Sequence, residues 1–242
     1  MQLKLICCEV LLREACMSIA RSPHTVDPEF TIKGAHEISS CLKELLQKKI
    51  DETEEKDEYD AILLGYGLCG NATLGLEARS IPLVIPRAHD CCTLFLGSRK
   101  RFIENFKDNL SGEWTSTGYM ERGDSYLRET DTGRQLGIDK TYEDFVTQYG
   151  EENAQFLWET LHPPSHSSKL IYIEMPETAH LGYLDKFKKL VAERGKEVCV
   201  LEGSMRMIDG LIQGEWNEED FLVVPPGAKI QGVYDQIQVM TI

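Results

Sequence analysis

The chain has 242 residues and carries 40 Asp and Glu against 26 Lys and Arg, a formal net charge of −14 at pH 7. That length suits one α/β domain with a core large enough to need no disulfide staples; 42% hydrophobic and 27% charged residues is a globular composition, which excludes disorder and collagen-like repeats. An acidic balance without a Lys/Arg-rich block argues against nucleic acid or an anionic membrane as partner, and no stretch approaches the ~20 uncharged apolar residues that span a bilayer.

The opening, MQLKLICCEVLLREAC, meets Glu9, Arg13 and Glu14 before any small-residue cleavage site, so a cytoplasmic location is expected. Residues 3–12 read as a continuous apolar strand of the kind covered on both faces. Residues 34–49 read as an amphipathic helix with Ile38, Leu42, Leu45 and Leu46 on one face. The charged stretch 51–60 reads as a connector. Two further buried strands, 61–64 and 81–85, run into GYGLCGN and PRAHDCC.

The middle, 97–166, is less regular: a turn-rich aromatic stretch, SGEWTSTGYMERGD, precedes a helix over 142–161. Then come a strand (169–175), an amphipathic helix (183–194), a strand (197–201), a short helix (205–213) and a strand (221–224). Alternating strands and helices of these lengths predict a single α/β domain, 1–242, with a mostly parallel, doubly wound (Rossmann-like) sheet and helices on both faces. Two βαβ-like portions, about 1–98 and 167–242, flank a central segment 99–166.

In such sheets ligands gather beyond the carboxyl ends of the strands, and three strands here deliver unusual chemistry to that edge. The first ends near Cys7, Cys8 and Glu9, the second at Cys69, and the third at His89, Asp90, Cys91 and Cys92. Thiolate, imidazole and carboxylate are the donor set for zinc, iron or an iron–sulfur cluster. No close-spaced C-x-x-C pair is present, so the expectation rests on three strand ends meeting. Side chains alternate along extended chain, which favours Cys8 over Cys7 and Cys91 over Cys92. The other cysteines among the eight, Cys16, Cys41 and Cys199, read as small buried hydrophobes, because a reducing compartment disfavours disulfides.

Gly65, Gly67 and Gly70 around Cys69 allow backbone to approach a bound group closely. They also suit a phosphate cradle, but G-Y-G-L-C-G fits neither the Walker nor the dinucleotide pattern. Glu9 and Asp90 are candidates to orient His89 or to accept a proton. Arg87 suits an anionic substrate group or a pairing with Asp90. The loop 112–121, with Trp114, Tyr119 and Glu121, is expected to cover the site and meet a small-molecule substrate.

At ICCEVLLRE, GYGLCGN, IPRAHDCCTLFLGSR, GEWTSTGYME and LEGSMRMIDGLIQGEW…DFLVVPPG, the sequence resembles the family catalogued as domain of unknown function 1638. The family pattern falls on Cys8, Glu9, Gly65, Gly67, Cys69, Arg87, His89, Asp90 and Cys91. The resemblance implies association with corrinoid methyl-transfer systems and one-carbon metabolism, with a corrinoid protein or methyltransferase as partner. Where the family more often has Gly-Trp-Ile/Leu-Glu, this chain has Gly118-Tyr119-Met120-Glu121, which keeps an aromatic ring and loses the indole N–H.

The residues allow three readings. A metal held by Cys8, Cys69, His89 and Cys91 could serve a metal-dependent methyltransferase or related enzyme. The same residues could hold an iron–sulfur cluster in an accessory protein without turnover of its own. Alternatively, the cysteines fill the core and the cleft takes a small molecule without metal.

Overall fold

The N-terminal apolar run forms β1 (Gln2–Cys8), whose Leu3, Leu5 and Ile6 are fully buried. The structure, a computed structural model, describes residues 1–33, 39–54, 58–106, 113–122, 141–161, 169–193, 195–233 and 239–242. β1 stops at Cys8 rather than at 12, because Glu9–Leu11 tightens into a 3₁₀ turn and α1 (Leu12–Ile19) begins directly after it. A strand absent from the sequence reading follows, β2 (Thr25–Thr31). Its TVDPEFT lacks clean alternation and contains Pro28, which a strand accepts where it lies at the sheet edge, as β2 does.

α2 (Ser39–Glu54) buries Leu42, Leu46 and Ile50 at four-residue spacing. It continues through 51–54 of the expected connector; the expected helix start, 34–38, lies outside the described residues. β3 (Ala61–Gly65) and β4 (Leu83–Pro86) are buried throughout, and the short helices α3 (Cys91–Leu96) and α4 (Arg99–Phe106) follow.

The five-stranded central sheet has the order β2-β1-β3-β4-β8, with β8 at Phe221–Val224. Its strands are parallel except β8, which runs antiparallel to β4. The chain leaves β1 for β2 on one side and crosses back to β3 on the other, so the connections diverge at the β1–β3 boundary. That crevice is where an open α/β sheet binds ligands.

The three strands before β8 do not extend this sheet. β5 (Trp114–Ser116), β6 (Lys169–Glu174) and β7 (Glu197–Glu202) form a separate parallel sheet in that order, so part of the segment expected to be irregular is a strand. β5 leads into α5 (Thr117–Glu121). The helix expected over 142–161 is two, α6 (Tyr142–Tyr149) and α7 (Glu151–Leu161), broken at Gly150 with φ 77°. α8 (Tyr183–Ala192) packs Phe187 and Val191 on Leu170 and Tyr172 of β6. α9 (Arg206–Gln213) precedes β8, and a short ribbon of β9 (Gln231–Gly232) and β10 (Met240–Thr241) closes the chain. The architecture is thus mixed α/β with a mostly parallel central sheet. Among the described residues no helix is long and apolar enough to cross a membrane.

Candidate functional site

The parallel strands β1, β3 and β4 lie side by side, so the segments that follow them emerge at one edge. Their packing there is tight: a Cβ on Gly67 would stand 2.7 Å from the Ala88 carbonyl and the Asp90 nitrogen. Only a residue without a side chain lets the β3 exit loop approach this closely. Leu68 and Cys69 then donate their N–H groups to the Ala88 and His89 carbonyls, both at 2.9 Å.

A cavity of about 240 Å³ opens at this edge. Cys8 enters it from the end of β1, Cys69 from the loop after β3, and Cys91 from the first turn of α3. Gly65, Gly70, Tyr66 and Asp90 complete the wall on the central-sheet side. Trp114 and Tyr119, carried by β5 and α5, form the opposite side and meet edge-to-face with ring centroids 5.0 Å apart.

Cys7 lines a different, apolar cavity with Leu11, Leu94 and Ile208, and Cys92 is fully buried in the core. Cys69 and Asn71, both non-glycine, hold φ values of 46° and 69° on either side of Gly70. Left-handed backbone at an L-residue is unfavourable and gathers at functional loops.

Electrostatics keep the thiols neutral. Burial pushes Cys8 up to about 11, partly offset by the Val10 N–H. Burial, and then the Asp90 carboxylate, pushes Cys69 up to about 12, against the N–H groups of Gly67 and Cys91. Cys91 is raised by burial and by its neighbours Cys69, Asp90 and Cys8, while the Tyr119 hydroxyl, 2.9 Å from its sulfur, works the other way. These mutual influences place the three thiols within electrostatic reach of one another. Asp90 caps α3 by accepting from the Thr93 N–H at 3.3 Å, and burial lifts its carboxyl to about 6.

Other residues singled out from the sequence lie elsewhere. The His89 ring does not line the cavity; it stacks on Phe102 with centroids 5.3 Å apart, and burial lowers its pKa. Arg87 directs its Nε to the carbonyls of Glu218 and Phe221, at 3.0 and 3.2 Å, and its Nη1 to that of Met240. Glu9 accepts from the Lys33 N–H at 2.9 Å and pairs with Arg122 at 3.2 Å. Glu121 is gripped by Arg13 through Nε and Nη2. Of the loop expected to cover the site, residue 112 lies outside the described residues.

Tyr66 is a lining residue that the sequence pattern does not mark, though it stands in the GYGLCGN motif. Tyr66 lines the cavity and shares a hydrogen bond with the Thr31 hydroxyl of β2, a strand the sequence did not reveal. Among the described residues no group of three or more His, Cys, Asp or Glu side chains stands at metal-binding spacing. The donors are nevertheless of the right kind: three soft sulfurs facing one enclosed space, with a protonatable carboxyl beside them.

Residues 30–212 match the family described as "Protein of unknown function (DUF1638)", and the chain belongs to that family. The match includes Cys69, Asp90, Cys91, Trp114 and Tyr119; Cys8 precedes it. The chain matches no curated protein and no solved structure.

Proposed function

We propose that this DUF1638 protein holds a soft metal ion, zinc or iron, through Cys8, Cys69 and Cys91, and acts on a small molecule seated against Trp114 and Tyr119. One observation carries the reading: three thiols, widely separated in sequence, line one cavity at the sheet edge where α/β proteins bind ligands. Coordination requires the three side chains to lose their protons and draw together onto the ion. Three protein ligands and an open position are the arrangement of a reactive site, whereas a closed set of four marks a structural one.

Bound there, such an ion supplies a Lewis acid that keeps a thiolate or water nucleophilic at neutral pH. The protein's own contributions are distinct. Asp90, with its carboxyl lifted to about 6, can hold or release a proton beside the thiols near neutrality. The Tyr119 hydroxyl can donate to the Cys91 sulfur as that sulfur becomes a thiolate. Trp114 and Tyr119 present flat apolar surface to the substrate and keep water out.

A four-cysteine cluster has less support, since Cys7 and Cys92 lie away from the cavity and no fourth thiol among the described residues lines it. The family resemblance extends the proposal to methyl transfer in one-carbon metabolism, with a corrinoid protein or methyltransferase as partner. The diverging connections at the β1–β3 boundary support reading the frame as doubly wound.

Metal and acid-labile sulfide analysis of protein purified without oxygen tests this. Stoichiometric zinc or iron without sulfide, lost in Cys69→Ser and Cys91→Ser chains that keep their far-ultraviolet circular dichroism, is the expected result. Iron with equimolar sulfide transfers the site to the cluster reading. A chain that takes up neither metal, even on anaerobic reconstitution, overturns the proposal.

A further inference from the structure

Glu14 is a side chain the cavity does not use and the fold does not satisfy. It lies on the inward face of α1 with Ala15 and Ser18, only 1% exposed, and neither carboxyl oxygen has a hydrogen-bond partner. Glu177, in the 3₁₀ turn Pro176–Leu181 after β6, also buries an unpartnered carboxyl oxygen. The groups that act on Glu14 come from both sheets and the helices between them. They are Cys7 of β1, Arg13 of α1, Glu121 of α5, Tyr172 of β6, and Glu177. α1 itself packs on α9, whose Asp209 and Arg206 pair with Arg21 and Asp220, and Glu14 stands within electrostatic reach of the second sheet, so it borders the seam between the two sheets.

The same seam positions one wall of the cavity. α5 carries Tyr119 into the cavity and Glu121 into the seam, only two residues apart. Just before Tyr119, Gly118 lies so close to the 3₁₀ turn after β1 that a Cβ there would stand 1.8 Å from the Val10 carbonyl. Arg13 grips Glu121 through a fork, with Nε at 2.8 Å and Nη2 at 2.6 Å. α5 is thus anchored to the stretch 10–13, and Glu14 is the next residue along.

A carboxyl buried without donors strongly prefers its neutral form. Burial lifts Glu14 to about 7 against the pull of its own backbone N–H and of Arg13, and the carboxylates of Glu121 and Glu177 add to the rise. Its proton is therefore exchanged near neutrality. Neutral Glu14 leaves Arg13 to Glu121. Ionised Glu14 competes for the same guanidinium and repels both neighbouring carboxylates.

We infer that Glu14 is a proton-operated latch on the cavity: when it carries its proton, α5 holds Tyr119, and through the edge contact of its ring Trp114 of β5, against the thiol-bearing loops, and when the proton leaves, the seam loosens and the cavity opens. The proton passes to solvent and no covalent bond changes. The latch works whatever the cavity holds, so its failure leaves the metal proposal standing.

Trp114 reports the movement. In a full-length chain carrying Trp158→Phe and Trp216→Phe, Trp114 is the remaining tryptophan, and acrylamide, an uncharged quencher, reads its accessibility across pH. The quenching constant is expected to rise several-fold with a midpoint near pH 7. Adding Glu14→Gln should abolish that rise. Adding Glu177→Gln instead should move the midpoint to lower pH by removing a neighbouring charge. A constant that stays level in the parent chain, or a rise unaltered by Glu14→Gln, overturns the latch. Should Glu14→Gln fail to fold, the Glu177→Gln midpoint decides: a downward shift supports the latch and an unmoved one overturns it.

Discussion

The Tyr119 hydroxyl lies 2.9 Å from the Cys91 sulfur, tying the helix on one side of the cavity to a thiol on the other. Because that contact stabilises the thiolate, Tyr119→Phe should raise the Cys91 pKa further and slow its alkylation at a fixed pH. The lost hydrogen bond corresponds to about 1 kcal/mol, or roughly a factor of five in metal affinity. Metal competition with a chromophoric chelator and the rate of iodoacetamide labelling both measure it. An unchanged affinity together with an unchanged labelling rate would show that the contact does not bear on the thiol.

Cys69 keeps a left-handed backbone at φ 46°, which glycine adopts freely. Cys69→Gly should therefore stabilise the fold by about 1 kcal/mol, or roughly 2–4 °C in Tm for a chain of this size, while abolishing metal retention. Calorimetry and metal analysis on the same sample separate the two effects. A lower Tm would mean that the packing of the Cys69 side chain outweighs its backbone strain.

Gly118 meets backbone rather than a movable side chain, so Gly118→Ala cannot be relieved by a rotamer change. It should destabilise by about 3 kcal/mol, at the upper end for overpacking. It should also shift α5, lowering the near-ultraviolet dichroism of Trp114 and Tyr119. A Tm equal to that of the parent chain would disprove the close approach.

Glu14 gives stability a definite pH dependence. Its folded-state pKa, about 7, lies above the 4.5 of an ordinary glutamate, so the folded chain keeps this proton longer than the unfolded one. The associated stability is fully present below about pH 4.5 and is lost as pH rises through 7, after which it changes no further. The loss amounts to about 3 kcal/mol. Glu14→Gln, neutral at every pH, should gain on the parent chain by up to that amount at pH 8 and match it near pH 4.5. Urea titrations at the two pH values test this, and an equal gain at both would refute it.

His89 stacks on Phe102 and stands apart from the cavity lining. His89→Ala should cost about 1 kcal/mol of stability through the lost ring contact and leave metal content as in the parent chain. Loss of metal on this substitution would restore the imidazole to the ligand set.

What the sequence disclosed follows from what local pattern can carry. The apolar runs of β1, β3 and β4 are strands because both their faces are covered, and alternation along β1 separates Cys8 from Cys7; Cys91 and Cys92 begin a helix, where that alternation does not apply. Neighbours in a motif also point in different directions. Arg87 and His89 stand close to Cys91 in sequence, yet they serve the β8 side and the Phe102 stack. β2 was hidden by Pro28, and the second sheet by a strand of three residues, β5, in a turn-rich stretch. Glu14 lies on α1, which the local pattern does not separate from the apolar run before it, and its burial comes from tertiary packing.

The separation of Cys8, Cys69, Cys91 and Tyr119 along the chain has a consequence for synthesis. No short stretch of the nascent polypeptide contains more than a fragment of the cavity lining, and its closing wall is fixed only when β6 has been made and paired with β5. Such distant closures are slow steps in folding. On the metal proposal, an ion arriving early would meet scattered cysteines, and loading would belong to the finished protein rather than to the ribosome.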